Sequence, residues 1–464
     1  MNKKGSSFRK AEPPAIKRIT IAGYKSIGRE QSIEIRPLTI LAGANGSGKS
    51  SIMQPLLLLK QTLEAQYNPG ALLLDGPNIK FSSADQLFSR SVKGKRKHDF
   101  SVGLEDDISR SITIYFGKPT KGSLGVTRMD YSGEGYEGSL RADMETDQIH
   151  KVIAGCFSAD DELLQEIKSS FVIQPNRCFL EVAPLANFSE SRDEIFTSVA
   201  QAIWDSISTH WEVRLSPLFP GRYFAPYITK LIHLPGLRGN PERNYPVTGI
   251  DLSFPGTFEN YTASVISHWQ AQSETEKLKR LGSDLENLGL TWKVVANPVS
   301  DTRVELQVGR LPKESADEAD DLVNIADVGF GVSQTLPVLV ALHTAKPGQL
   351  VYLEQPETHL HPRAQSAMAR VLANAAKRGV RVVAETHSSL LLLSIQTLVA
   401  EGELAPELVK LHWFSRDAAG ATVVRSADLD EAGAYGDWPE DFDEVALTTE
   451  SKYIDAAAQR QQVH

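Results

Sequence analysis

Short, wholly apolar runs alternate along this chain with stretches of helical spacing, the pattern of strands buried on both faces and of helices crossing between them. Residues 16–22 and 32–42 read as strands. The second ends in LTILAG, which leads into a glycine-rich turn and then the helical stretch SSIMQPLLLLKQTL. Pro55 falls inside that helix and is expected to kink it, since its ring removes a backbone amide. Over residues 99–116 the alternation of FSVGL and ITIYF predicts a β-meander packed beside the first sheet. Residues 126–292 are mixed in character; within them 160–168 and 258–288 are helical, and neither sustains the apolar heptads of a long coiled coil. The acidic string KESADEADD, residues 313–321, is expected to be a surface linker. After it come a strand at 350–353, a helix at 363–378 with Gly379 as its C-cap, and a strand over 380–388 closing in His387. There is no internal repeat.

A chain of 464 residues exceeds what one core usually fills, so a main domain with a substantial insertion is expected. Apolar residues at 41% and charged residues at 23% exclude a disordered or fibrous chain. The net charge of -9 repels nucleic acid overall and leaves any DNA contact to local patches. KGKRKH, residues 93–98, is the best of these, though a solvated hairpin turn is its plainer reading. Two cysteines without CxxC spacing give neither a zinc nor a disulfide framework and fit a reducing compartment. MNKKGSSFRK leads into AEPPAIKR rather than an apolar stretch, and no run of about 18 apolar residues occurs, so the expected location is the cytoplasm, with no membrane partner.

Gly43-Ala44-Asn45-Gly46-Ser47-Gly48-Lys49-Ser50 matches GxxxxGK[ST] between a buried strand and a helix, the context in which backbone amides and a helix N-terminus cradle phosphates. Gly43, Asn45, Gly46, Ser47, Gly48, Lys49, Ser50 and Ser51 are therefore candidate nucleotide contacts. Lys49 would reach the β- and γ-phosphates, and the Ser50 hydroxyl would coordinate Mg²⁺. A second cluster, Glu354-Gln355-Pro356-Glu357, stands at the carboxyl end of the 350–353 strand, where doubly wound folds bind ligands. A third, DVGFGVSQ at 327–334, opens a helix with Ser333 as its expected N-cap; alone it could be an ordinary capped core helix. His359 and His361 form an HxH pair that lacks a third metal ligand at any recognised spacing. Arg238 and Arg243 lie in a turn-rich string that reads first as a structural corner and second as a phosphate contact.

In this order the strings resemble the ABC-type ATPase heads of the RecF, SMC and OLD group, and EQPETHLHP is the most family-specific of them. The resemblance covers residues 16–63 and 322–392 well and the intervening insertion loosely. It implies an α/β P-loop NTPase fold of ABC type, with a mixed β-sheet and a large α/β insertion. The implied segments are an N-terminal lobe over 1–125, an inserted lid or interaction region over 126–300, a C-terminal lobe over 301–425 and a tail over 426–464. By the resemblance Glu354 holds the Mg²⁺ shell with Ser50. Gln86 is the candidate Q-loop residue, touching nucleotide and cation. Ser333 and Gln334 meet the γ-phosphate bound by an opposing copy, residues 358–361 cross that interface, and His387 senses the γ-phosphate. Gln355 occupies the place of the glutamate that polarises the attacking water. An amide orients water but cannot take its proton, so slow hydrolysis is expected, with Glu357 as an alternative carboxylate.

OLD nucleases continue from such a head into a nuclease domain, whereas here the chain ends fewer than about 80 residues after His387. The expectation is a stand-alone head, as in antiphage systems such as Septu and PARIS. It would use ATP and Mg²⁺, pair with itself through ATP-sandwiched heads as a homodimer or larger oligomer, and control a separately encoded nuclease or toxin. The alternative is a RecF-like repair or chromosome-maintenance ATPase with DNA as its partner. A transporter subunit is disfavoured by the insertion and by EQPETHLHP.

Overall fold

The computed structural model describes residues 14–90, 97–118, 124–156, 171–184, 219–251, 253–310 and 321–436. Its strands run β1 (Ile16–Ala22), β2 (Gln31–Glu34), β3 (Leu38–Gly43), β4 (Asp99–Asp106), β5 (Ser111–Gly117), β6 (Gly125–Gly133), β7 (Tyr136–Arg141), β8 (Phe171–Asn176) and β9 (Phe179–Pro184). They continue as β10 (Ile232–Leu234), β11 (Tyr245–Pro246), β12 (Val294–Ser300), β13 (Arg303–Gly309), β14 (Leu322–Asn324), β15 (Leu350–Glu354), β16 (Arg381–Glu385), β17 (Val409–Arg416) and β18 (Thr422–Ala427). The described helices are α1 (Lys49–Glu64), α2 (Thr146–Cys156), α3 (Gly221–Thr229), α4 (Thr262–Ala271), α5 (Thr275–Asn287), α6 (Phe330–Thr344), α7 (Pro362–Lys377) and α8 (Ser389–Ala400).

A six-stranded sheet in the order β10-β15-β16-β3-β17-β18 carries the site. It is parallel from β10 to β17, and β18 returns antiparallel, so the sheet is mixed and the fold α/β. Its strands are apolar on both faces, and their alternation assigns each side chain to one of two cores. Leu41, Tyr352, Val383 and Phe414 point toward α1 and a second, antiparallel sheet, ordered β2-β1-β4-β5-β6-β7. Ile40, Leu353, Ala384 and Trp413 point the other way, into the layer formed by α4 to α8. A smaller sheet, β11-β13-β12 with β14 on β13, lies against α4, and β8 pairs with β9 in a hairpin.

The meander expected over 99–116 is β4 and β5, packed through the shared core as read from the sequence. The helix after the glycine-rich turn runs on through Pro55. The single strand expected over 32–42 is instead two. Pro37 offers no N–H, and the Arg36 N–H donates to Thr39 Oγ1 (2.9 Å), so the chain turns and delivers β2 and β3 to different sheets. The helical stretch 258–288 is also broken, by a turn at Gln272–Glu274 in which Ser273 takes φ 56°. Both halves pack on α6, and α4 also lies on β12.

Helix α7 starts with Pro362 at its first turn and ends before Gly379, whose φ of 82° suits a left-handed terminus. Residues 160–168, 93–96 and 313–320 lie outside the described residues. Asp321, the last residue of the acidic string, is buried rather than on the surface. Among the described residues no helix is long and apolar enough to cross a membrane.

Candidate active site

The last residues of β3, β15 and β16 are Gly43, Glu354 and Glu385, so three neighbouring parallel strands deliver their chemistry to one edge of the sheet. Beyond β3 the phosphate loop folds tightly. Gly43 takes φ 138°, and a Cβ there would lie 2.2 Å from the Phe414 carbonyl oxygen, so only glycine lets β3 approach β17 in this way. Thr422 Oγ1 donates to the Ser47 carbonyl (2.7 Å) and Arg416 Nε to that of Gly46 (2.8 Å), which ties the loop to the β17–β18 hairpin. Lys49 is almost fully buried, and its Nζ donates to the carbonyls of Gly43 (2.9 Å) and Ala44 (3.0 Å). Burial holds its ammonium below the usual lysine range, against the opposing pull of Glu385 and Glu357.

A cleft of about 340 Å³ opens over this loop, lined by Asn45, Lys49, Ser50, Gln355, Glu385 and His387 among others. Gly46, Gly48 and Ser51 line it too, while Gly43 lies beneath it and Ser47 is buried in the loop. Gln355 follows β15 with φ 47°, an uncommon conformation for a residue with a side chain, and its N–H donates to the Glu385 carbonyl (2.8 Å). His387 stands just past β16. Burial and the nearby Lys49 ammonium hold its imidazole below the usual range, so it is neutral at pH 7.

The carboxylates are sorted by their partners. Glu354 Oε1 meets His233 Nε2 (3.3 Å), and its Oε2 accepts from the Gly236 N–H (3.2 Å). Burial pushes the Glu354 carboxyl up, but the hydrogen bonds from His233 and Gly236 leave it below the usual range. Glu385 accepts from Ser50 Oγ (2.9 Å) and from the Tyr352 hydroxyl (2.9 Å), and burial together with Glu354 raises its carboxyl. Glu357 does not line the cleft. It accepts from Thr386 Oγ1 (2.5 Å) and the His387 N–H (3.2 Å), so it braces the turn that presents His387.

Gln86 is not brought to the cleft; its Oε1 accepts the Ser82 N–H in an exposed turn. Ser333 is not the N-cap of α6, because the helix begins at Phe330 with Gly329 as cap, and Ser333 Oγ instead donates to the Phe330 carbonyl (3.1 Å). Gln334 donates to the Gly239 carbonyl (3.0 Å). Arg238 is buried and spends both terminal nitrogens on the main chain, at the Gln334 and Glu354 carbonyls (both 3.0 Å), while Arg243 pairs with Asp327. His361 Nδ1 accepts from the Arg363 N–H at the start of α7, and His359 lies against Phe330. Among the described residues no group of three or more His, Cys, Asp or Glu side chains could hold a metal ion by itself.

Sequence reasoning missed Glu385, Tyr352 and His233. Glu385 carried the same signal as Glu354, a carboxylate at the carboxyl end of an apolar run. His233 lies 121 residues from Glu354 in the chain, and neither periodicity nor motif spacing joins them.

Residues 15–171 match a family described as an AAA ATPase domain. Residues 192–394 match one described as an AAA domain, by reference to the AbiEii toxin and a type IV toxin–antitoxin system. Both matches are to AAA-type ATPase domains, and between them they take in both halves of the cleft. The first match holds the phosphate loop, and the second holds Ser333, Glu354, Gln355 and His387. No curated protein matches it. Similar solved structures include the SMC head domain from Thermotoga maritima, at 11% identity over 89% of this chain and 98% of that one, with a TM-score of 0.40. Another is a Smc head with an extended coiled coil, derived from Pyrococcus furiosus and bound to the C-terminal domain of ScpA, at 14% identity over 90% and 97%, with a TM-score of 0.44.

Proposed function

We propose that this chain is a nucleotide-gated switch of ABC type that binds ATP with Mg²⁺ in the cleft over the phosphate loop, hydrolyses it slowly and pairs with a second copy while ATP is bound. The carrying observation is the convergence of Lys49, Ser50, Gln355, Glu385 and His387 on one cleft of about 340 Å³. The donors fit Mg²⁺, a hard cation that takes oxygen ligands and keeps several water and phosphate oxygens, because the cleft offers the Ser50 hydroxyl beside a carboxylate. When bound, the cation would neutralise phosphate charge. Lys49 leaves the loop carbonyls for the phosphates, the amides of the loop donate to the phosphate oxygens, and neutral His387 offers one N–H to the γ-phosphate.

Gln355 holds the attacking water without removing its proton, which makes the ATP-bound state long-lived. Pairing is supported by the surface where exposed Phe330, beside Ser333 at the start of α6, meets His359 of the loop after β15, with ring centroids 6.1 Å apart. The family described by reference to the AbiEii toxin supports a role in bacterial antiphage defence, with a separately encoded nuclease or toxin under the control of the paired heads.

Phosphate release tests the turnover claim. Slow release is expected from the native chain and none from Lys49→Ala, while Gln355→Glu should release phosphate at least about tenfold faster, within the range general-base catalysis supplies. Equal rates in the native chain and Lys49→Ala would remove the cleft from the reaction, and an unaltered rate in Gln355→Glu would remove Gln355 as the brake.

A further inference from the structure

Two carboxylates end neighbouring strands in register, Glu354 on β15 and Glu385 on β16. They are not equivalent. Asn78 donates both its amide hydrogens, one to the Gly256 carbonyl (3.0 Å) and one to His233 Nδ1 (3.1 Å). His233 Nδ1 is therefore the acceptor nitrogen, and Nε2 carries the proton given to Glu354 Oε1. With Gly236 on its other oxygen, Glu354 is turned toward β10, and it does not line the cleft.

Glu385 does line the cleft and holds the Ser50 hydroxyl directly. A hydroxyl that gives its hydrogen to a carboxylate turns its lone pairs the other way, which is the orientation a cation on that oxygen requires. Tyr352 fixes the carboxylate from below. Its fully buried hydroxyl donates to Glu385 Oε2 (2.9 Å). The carboxylate is thus held by one fully buried donor and aimed at the loop by the other.

Resting on the reading of this cleft as an ATP and Mg²⁺ site, we infer that Glu385 is the carboxylate through which the protein holds its divalent cation, with Ser50 as its partner oxygen. Glu354 is then a positioning residue: its carboxylate gathers His233 and Gly236, and its backbone carbonyl takes Arg238, keeping the end of β15 beside Gln355.

The test is equilibrium binding of a fluorescent, non-hydrolysable ATP analogue, titrated with Mg²⁺ and repeated in EDTA, on the native chain, Glu385→Gln and Glu354→Gln. Glu385→Gln should raise the half-saturating Mg²⁺ concentration by about ten- to a hundredfold, the usual penalty for disturbing a metal's immediate surroundings, and leave binding in EDTA unchanged. Glu354→Gln should shift it by less. An unchanged Mg²⁺ requirement in Glu385→Gln, or equal weakening with and without Mg²⁺, overturns the inference. Should Glu385→Gln fail to fold, Glu385→Asp, which withdraws the carboxylate by one methylene, is expected to show the same rise, and an unchanged Mg²⁺ requirement there overturns the inference equally. A native chain that binds no analogue at all would sink the ATP reading itself, whereas Mg²⁺-dependent binding shared equally by native chain and variant sinks only the role of Glu385.

Discussion

His412 lies in β17 wholly out of solvent, its Nε2 donating to the Glu34 carbonyl (2.9 Å) and its Nδ1 accepting from Ser426 Oγ (2.8 Å). Burial and nearby Lys410 and Arg36 bring its pKa down to about 4, despite the favourable Glu34 contacts. An unfolded histidine titrates near 6.5, so below that pH the unfolded chain binds a proton the folded chain refuses. Its contribution to stability is complete above pH 6.5 and is lost as the pH falls toward 4, costing about 2 kcal/mol between pH 7 and 5. Urea unfolding at both pH values checks this. His412→Gln should unfold more easily at pH 7 yet lose less on going to pH 5, and equal losses in the two proteins would show that His412 is not the group responsible. None of this burial could be read from the string VKLHWF, where a histidine amid apolar residues could equally have been exposed.

At the scale of elements, the apolar run LTILAG, the loop and the helix around Lys49 were legible, because a buried strand end, a glycine-rich turn and a helix are each local patterns that agree with one another. Gly43→Ala places a methyl group 2.2 Å from a backbone oxygen of β17, while Gly46→Ala, at φ 72°, meets open space. The first should cost more than about 2 kcal/mol in urea unfolding and the second about 1 kcal/mol, the ordinary strain of a left-handed residue. Similar costs for both would mean that β3 and β17 can separate without penalty. What the sequence did not disclose were breaks decided by distant partners. Residues 32–42 look like one strand until β2 and β3 are seen to join different sheets. Ser333 looked like a cap, but the packing of Val332 and Leu336 lets α6 begin a turn earlier, at Phe330. Glu385 ends an apolar run as Glu354 does, but its strand was read for the presentation of His387, and the paired register of β15 and β16 sets the two carboxylates side by side.

Across the whole molecule, one sheet divides two hydrophobic cores and exposes its chemistry at a single edge. Arg238 joins that edge to α6 by bonding both the Glu354 and the Gln334 carbonyls, so the cleft and the exposed Phe330 surface are coupled through a buried residue. Occupation of the cleft and pairing through α6 are therefore expected to change together. The most direct measurement is the solution mass of the native chain, of Lys49→Ala and of Phe330→Glu, each with and without a non-hydrolysable ATP analogue and Mg²⁺. The nucleotide should at least double the mass of the native chain, leave Lys49→Ala unchanged because it cannot hold the nucleotide, and leave Phe330→Glu unchanged although it still binds. A native mass that does not respond to a bound nucleotide, or a Phe330→Glu variant that assembles like the native chain, would contradict it.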